Sequence, residues 1–170
     1  MQRIMIIGGP GSGKSTLARA LGVRLGLPVV HIDPMFWAPG WVQRSRAETL
    51  ALISAAALAG AWVMDGNHSQ TYDLRAGRAD MIVCLDLPRT LRVWRILWRR
   101  VQFHGQTRPD MPANCPERLD PAFLLFVWRW DRDSRPKAMA LLDKMKGRTR
   151  VVHLTSPRQV RRFLADPARS

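Results

Sequence analysis

Residues 8–15, Gly-Gly-Pro-Gly-Ser-Gly-Lys-Ser, restrict the fold of this chain more than any other stretch. They fit the spacing G-x-x-x-x-G-K-[ST], and Thr16 follows. Before them runs a short apolar segment, Arg3–Ile7, with isoleucines at 4, 6 and 7. After them, Ser15–Leu25 carries Leu17, Ala18, Leu21 and Leu25 on one helical face. A buried strand, a glycine-rich turn and a helix opening in that order is the context in which this spacing binds phosphates. Glycines at 8, 11 and 13 remove the Cβ atoms that would block the turn. Backbone N–H groups then converge on an anion, and the helix start adds the positive end of its dipole. A chance glycine-rich turn needs neither flank. Gly8, Gly9, Pro10, Gly11, Ser12, Gly13, Lys14, Ser15 and Thr16 are therefore expected to bind ATP. Lys14 would reach the β- and γ-phosphates, and the Ser15 hydroxyl would be a Mg2+ ligand.

The rest of the chain extends this plan. Val29–Ile32, Trp62–Met64, Met81–Leu87 and Arg150–Leu154 read as further strands. Ser45–Ala59, Thr71–Gly77, Thr90–Phe103, Ala122–Trp130, Pro136–Lys146 and a short stretch from Pro157 read as helices. Apolar strands alternating with helices predict a three-layer α/β fold, with a five-stranded parallel sheet, helices on both faces and right-handed crossovers. No repeat or linker divides residues 1–170, so one domain is expected, with a lid-like segment at about 104–135.

A chain of 170 residues, 46% hydrophobic, can bury a real core. No apolar run reaches the length of a membrane span. The first residues lack the long apolar region and cleavage site of a secretory signal. Cys84 lies in a strand-like run and Cys115 in a Pro-rich loop, so a disulfide is not expected and a reducing cytoplasm fits. The net charge of +14 is unevenly spread. Residues 1–88 hold 8 Lys and Arg against 6 acids, residues 89–135 hold 10 against 5, and residues 136–170 hold 9 against 2. The basic second half suits polyphosphate, nucleic acid or an acidic partner, or it is simply a solvated surface.

Three aspartates end predicted strands: Asp33, Asp65 and Asp86. Ligands of an open parallel sheet bind beyond the carboxyl ends of its strands, so all three can face the glycine-rich loop. Asp33 and Asp65 read as functional; Asp86 is balanced between a metal shell and a turn. Phe36, Trp37 and Trp41 follow Asp33 and either wall a pocket or pack a small helix. Trp94 and Trp98 share a helical face with Leu91 and Val101 and are expected in the core. Arg92, Arg95 and Arg99 form the opposite stripe, suited to phosphate contact and base stacking. Arg132 and Arg135 would complete a clamp as the lid closes. His104 and Cys115 lack a second cysteine pair, so no metal is expected there.

Taken together, GPGSGKSTLA (9–18), HIDPMFWAPGW (31–41), WVMDGN (62–67), RAD (78–80), WRILWRR (94–100), GQTRPDM (105–111), CPE (115–117) and SRPK (134–137) mark a resemblance. The chain resembles the bacterial DNA topology modulation proteins (FlaR-type), adenylate kinase-like members of the P-loop superfamily. The resemblance implies that Asp65 holds magnesium-bound water, Arg95 lies along the adenine and Arg99 touches phosphate. It also implies that Thr155-Ser156-Pro157 forms the loop beside the adenine ring. One departure stands out. Phe36-Trp37 and Asn67-His68-Ser69 occupy places where monophosphate kinases carry arginines for the acceptor phosphate, with Arg75 or Arg78 as the candidate substitutes.

Two expectations follow. The preferred one is an ATP- and Mg2+-dependent phosphotransferase acting on a small molecule or nucleotide, with Lys14, Asp33, Asp65, Arg95, Arg99, Arg132 and Arg135 as its catalytic set. The other is an ATP-gated protein that binds nucleic acid without sequence specificity and affects DNA topology. Neither involves a membrane.

Overall fold

The computed structural model describes residues 1–107, 111–116 and 121–167. Its elements run β1 (Arg3–Gly8), α1 (Lys14–Leu25), β2 (Val29–His31), α2 (Asp33–Phe36), β3 (Trp37–Ala38), β4 (Val42–Gln43), α3 (Arg46–Leu58) and β5 (Trp62–Asp65). A 3-10 turn (Ser69–Thr71) leads into α4 (Tyr72–Arg78), β6 (Met81–Leu85), α5 (Arg89–Gln102), α6 (Pro121–Asp133), α7 (Arg135–Met145), β7 (Arg150–Leu154) and α8 (Pro157–Ala165). The expected strand at 81–87 stops two residues early, where Leu87-Pro88 turns the chain into α5. The hairpin of β3 and β4 was not legible. Its turn places Gly40 and Trp41 both at positive φ, 77° and 61°, a conformation tryptophan seldom takes.

Five strands form a parallel sheet in the order β2-β5-β1-β6-β7. Alternation along β1 divides the core in two. Ile4 and Ile6 join Leu17, Ala18 and Leu21 of α1 and Phe163 of α8 on one face. Met5 and Ile7 join Ile53 of α3, Ala76 of α4 and Leu141, Leu142 and Met145 of α7 on the other. The predicted three layers are present. Among the described residues no helix is long and apolar enough to cross a membrane.

α5 reverses the expected orientation. Arg92 and Ile96 are its buried residues, whereas Trp94 and Trp98 are 59% and 51% exposed and stack on each other with centroids 6.1 Å apart. The reason is a partner set that only a guanidinium satisfies. Arg92 Nε donates to the Leu87 carbonyl (3.0 Å), Nη2 pairs with Asp131 of α6, and the group lies over the Trp130 ring (4.9 Å). A buried arginine so paired is tolerable, and its charge is compensated across α5 and α6.

Candidate active site

The cradle forms where β1 meets α1. A Cβ on Gly8 would lie 2.3 Å from the Leu85 carbonyl oxygen, so only glycine lets the turn leave β1 this close to β6. The Ser12 N–H donates to the Gly9 carbonyl (3.1 Å) and the Leu17 N–H to the Gly13 carbonyl (2.9 Å), closing the loop onto the helix. Gly13 caps α1 without a side-chain acceptor, and no acidic residue lies in the first turn. The first N–H groups of α1 are thus left to an anion or to water. Ser12 Oγ is buried in the same loop with no hydrogen-bond partner. Lys14 Nζ folds back to donate to the carbonyls of Gly8 and Gly9, 3.1 Å each. Burial lowers its pKa below the ordinary lysine value, while Asp33 and Asp65 pull it back upward.

Two side chains with no role in the sequence reading lock this arrangement. Asn67 accepts from the Gly8 N–H (3.1 Å) and donates to the Gly8 carbonyl (2.8 Å), fastening the end of β5 to the loop. His31 is the register partner of Asp65 on the neighbouring strand, and its Nδ1 meets Asp65 Oδ1. The Ser15 hydroxyl donates to the other Asp65 oxygen at 2.8 Å. The available signal was position: both residues adjoin the carboxyl ends of predicted parallel strands.

Asp33 opens α2 and is exposed to a cleft of about 900 Å³. Residues 10–16 of the loop, Arg95 and Arg99 of α5, and Val160 and Leu164 of α8 line the same cleft. Phe36, Trp37 and Trp41 wall it beside Asp33, edge to face, at 5.0 Å and 5.4 Å between successive centroids. Arg95 Nη1 donates to the Ser12 carbonyl at 3.0 Å. Lys14, Ser15, Asp33, Asp65, Arg95 and Arg99 are thereby brought together around the loop.

Other expected residues stand elsewhere. Arg132 is exposed and paired with Asp133 (2.7 Å). Arg135 grips Asp86 with Nε and Nη2 (2.9 and 2.7 Å), and His153 Nε2 lies 2.9 Å from the same carboxylate. Burial would push the Asp86 carboxyl up, but the hydrogen bonds from Arg135 and His153 outweigh it and hold its pKa below the usual value. Asp86 is thus the acidic partner that docks α7 on the sheet edge. Ser156 caps α8 by accepting from the Gln159 N–H (3.3 Å), and Pro157 starts that helix. Arg75 and Arg78, the candidate substitutes for an acceptor arginine, are engaged by backbone carbonyls.

Within the stretch expected to form a lid, Ala113, Cys115 and Pro116 are joined to the turn of the β3–β4 hairpin. The Gly40 N–H donates to the Ala113 carbonyl (3.3 Å), the Trp41 N–H to Cys115 Sγ (3.3 Å) and Trp41 Nε1 to the Pro116 carbonyl (3.1 Å). Residues 108–110 and 117–120 of the segment lie outside the described residues, and with them parts of the GQTRPDM and CPE motifs.

No protein-family model and no curated protein sequence matches the chain. Solved structures do. Over 98% of its length the chain superposes on 90% of a shikimate kinase from Acinetobacter baumannii in complex with shikimate, with a TM-score of 0.62 at 14% identity. Over 98% of its length it also superposes on 93% of a gluconokinase from Sinorhizobium meliloti 1021, with a TM-score of 0.52 at 17% identity. The chain shares its fold with these two proteins. Here the loop after β1 and the carboxyl ends of β2 and β5 converge, and Lys14, Asp33 and Asp65 meet there.

Proposed function

We propose that the chain is an ATP- and Mg2+-dependent phosphotransferase that moves the γ-phosphoryl group of ATP to a small-molecule acceptor. One observation carries the reading: an anion cradle, a half-buried lysine and the Ser15–Asp65 pair meet Asp33 at the carboxyl edge of a parallel sheet, in one cleft. The fold-level likeness to a shikimate kinase and a gluconokinase supports the class.

The strand order divides the labour. β1 is central, β2 and β5 lie to one side, β6 and β7 to the other. The triphosphate lies over the loop, the acceptor over β2 and β5, and the nucleoside toward α8, which Ser156 caps and Pro157 opens. Lys14 exchanges the Gly8 and Gly9 carbonyls for phosphate oxygens, and Ser12 Oγ gains the partner it lacks. The Ser15 hydroxyl and the Asp65 carboxylate, hard oxygen donors 2.8 Å apart, would hold Mg2+. Bound there, the ion would neutralise charge building on the phosphates. His31 and Asn67 hold Asp65 and the loop in register. Asp33 accepts the proton of the acceptor hydroxyl as its oxygen bonds to the γ-phosphorus and the bond to the bridging oxygen breaks, releasing ADP. Arg95 and Arg99 offset charge on the transferring group. Arg132 and Arg135, committed to Asp133 and Asp86, are left outside this set.

The test is Lys14→Ala, with ADP release measured across a panel of alcohol acceptors and the fold checked by a melting curve. Turnover should fall by about 100-fold or more with the fold retained; undiminished turnover refutes the phosphate role. A parallel titration with duplex DNA at two salt concentrations covers the nucleic-acid reading. Tight DNA binding at physiological salt, with no acceptor turned over, would reverse the assignment.

A further inference from the structure

We infer that His31 is the positioning residue of the divalent-cation site: it anchors one oxygen of the Asp65 carboxylate so that the other stays beside Ser15. The inference rests on the phosphotransferase reading and assigns what sets the affinity of that site for its cation.

The end of β2 is fastened to the end of β5 twice. The Ile32 N–H donates to the Asp65 carbonyl (3.0 Å), and His31 Nδ1 meets Asp65 Oδ1. The chain after Asp65 can pass this close to β2 because residue 66 is a glycine; a Cβ there would lie 2.7 Å from Ile32 Cβ. Parallel register then sets His31 directly beside Asp65. A carboxylate only accepts, so the bond requires the imidazole proton on Nδ1. Asp65 is 4% exposed, and an oxygen deprived of its donor there has little solvent to turn to.

The imidazole bond is the one that survives loading of the site. In this structure the Ser15 hydroxyl donates to Asp65 Oδ2 (2.8 Å), so the carboxylate is tethered at both oxygens. Once Ser15 and Asp65 turn their lone pairs to a cation, the hydroxyl proton points away and that second tether is gone. His31 then remains to stop the carboxylate from rotating about its Cβ–Cγ bond, a freedom that would otherwise be lost on binding. Outer partners of this kind account for roughly 10- to 100-fold in metal affinity. Stereochemistry supplies a sharp comparison. The side-chain N–H of asparagine lies where histidine carries Nδ1, whereas glutamine places it one bond further out.

The experiment titrates the full chain with a nonhydrolysable ATP analogue by calorimetry, once with saturating Mg2+ and once with EDTA. The ratio of the two affinities is the gain due to the ion. His31→Gln and His31→Leu should lose roughly tenfold or more of that gain, while affinity in EDTA changes by less than about threefold. His31→Asn should keep the gain to within about threefold of the unaltered chain. A histidine that only props up the fold would lower both affinities alike, and that result would overturn the inference. So would a full gain in His31→Gln, or no gain in the unaltered chain. A gain lost in His31→Asn would overturn it whether or not the other variants fold, which melting curves establish. Absence of analogue binding to the unaltered chain under both conditions refutes the phosphotransferase reading itself, and the role of His31 falls with it.

Discussion

Asp65 shows how one carboxylate acquires its role from its neighbours. Its oxygens face Ser15 and His31, so it stands braced beside the loop, whereas Asp33 opens onto the cleft. The two aspartates should therefore fail differently. Asp33→Asn is expected to slow phosphoryl transfer at least tenfold while ATP affinity changes little; single-turnover kinetics beside equilibrium ATP binding checks this, and equal losses of both would count against it. Asp86 behaves differently again, as an anchor. Its folded pKa lies below the ordinary value, so its contribution to stability is present above the unfolded value near 4 and is lost as pH falls through the folded pKa. Asp86→Asn should cost about 2 kcal/mol at pH 7 and progressively less below about pH 4. Urea denaturation of both proteins at the two pH values measures this. Residue types at 8–16, 33 and 65 were readable because a fixed spacing and strand ends select them. His31 and Asn67 were not, since an imidazole pairing across β2 and β5 depends on a register that local sequence does not carry.

At the scale of the element, α5 is the instructive case. Its spacing allows either stripe to face inward, and a bare count of hydrophobicity favours the tryptophans. The structure turns Arg92 inward because Asp131, Trp130 and the Leu87 carbonyl await it. Helical period was legible; the inward face depended on partners about 40 residues away. The choice also supports the cradle, since a Cβ on Gly9 would come within 2.6 Å of the Arg92 side chain. Arg92→Ala should accordingly destabilise the fold by about 3 kcal/mol, because Asp131 loses its buried partner, and should weaken ATP binding as well. Chemical denaturation and a nucleotide titration report the two effects; loss of stability with unchanged nucleotide affinity would mean that α5 does not support the loop.

Across the whole molecule, strand order makes one edge of the sheet the site. The parallel sheet and its two helical layers follow from apolar runs alternating with helical periods, and were predictable for that reason. The β3–β4 hairpin was not, because two-residue strands leave no period to read. A ligand that fills the cradle binds the folded chain alone, so a nonhydrolysable ATP analogue at about 100 times its Kd should add about 2.7 kcal/mol of stability. A thermal melt with and without the analogue checks it, and an unchanged midpoint would argue that the cradle is not formed in solution.

The bonds from Gly40 and Trp41 to Ala113, Cys115 and Pro116 have a mechanical consequence. They tie residues 113, 115 and 116 to the Gly40-Trp41 turn, so the position of each depends on the other. Breaking those three bonds would loosen Trp41 and, with it, one wall of the cleft.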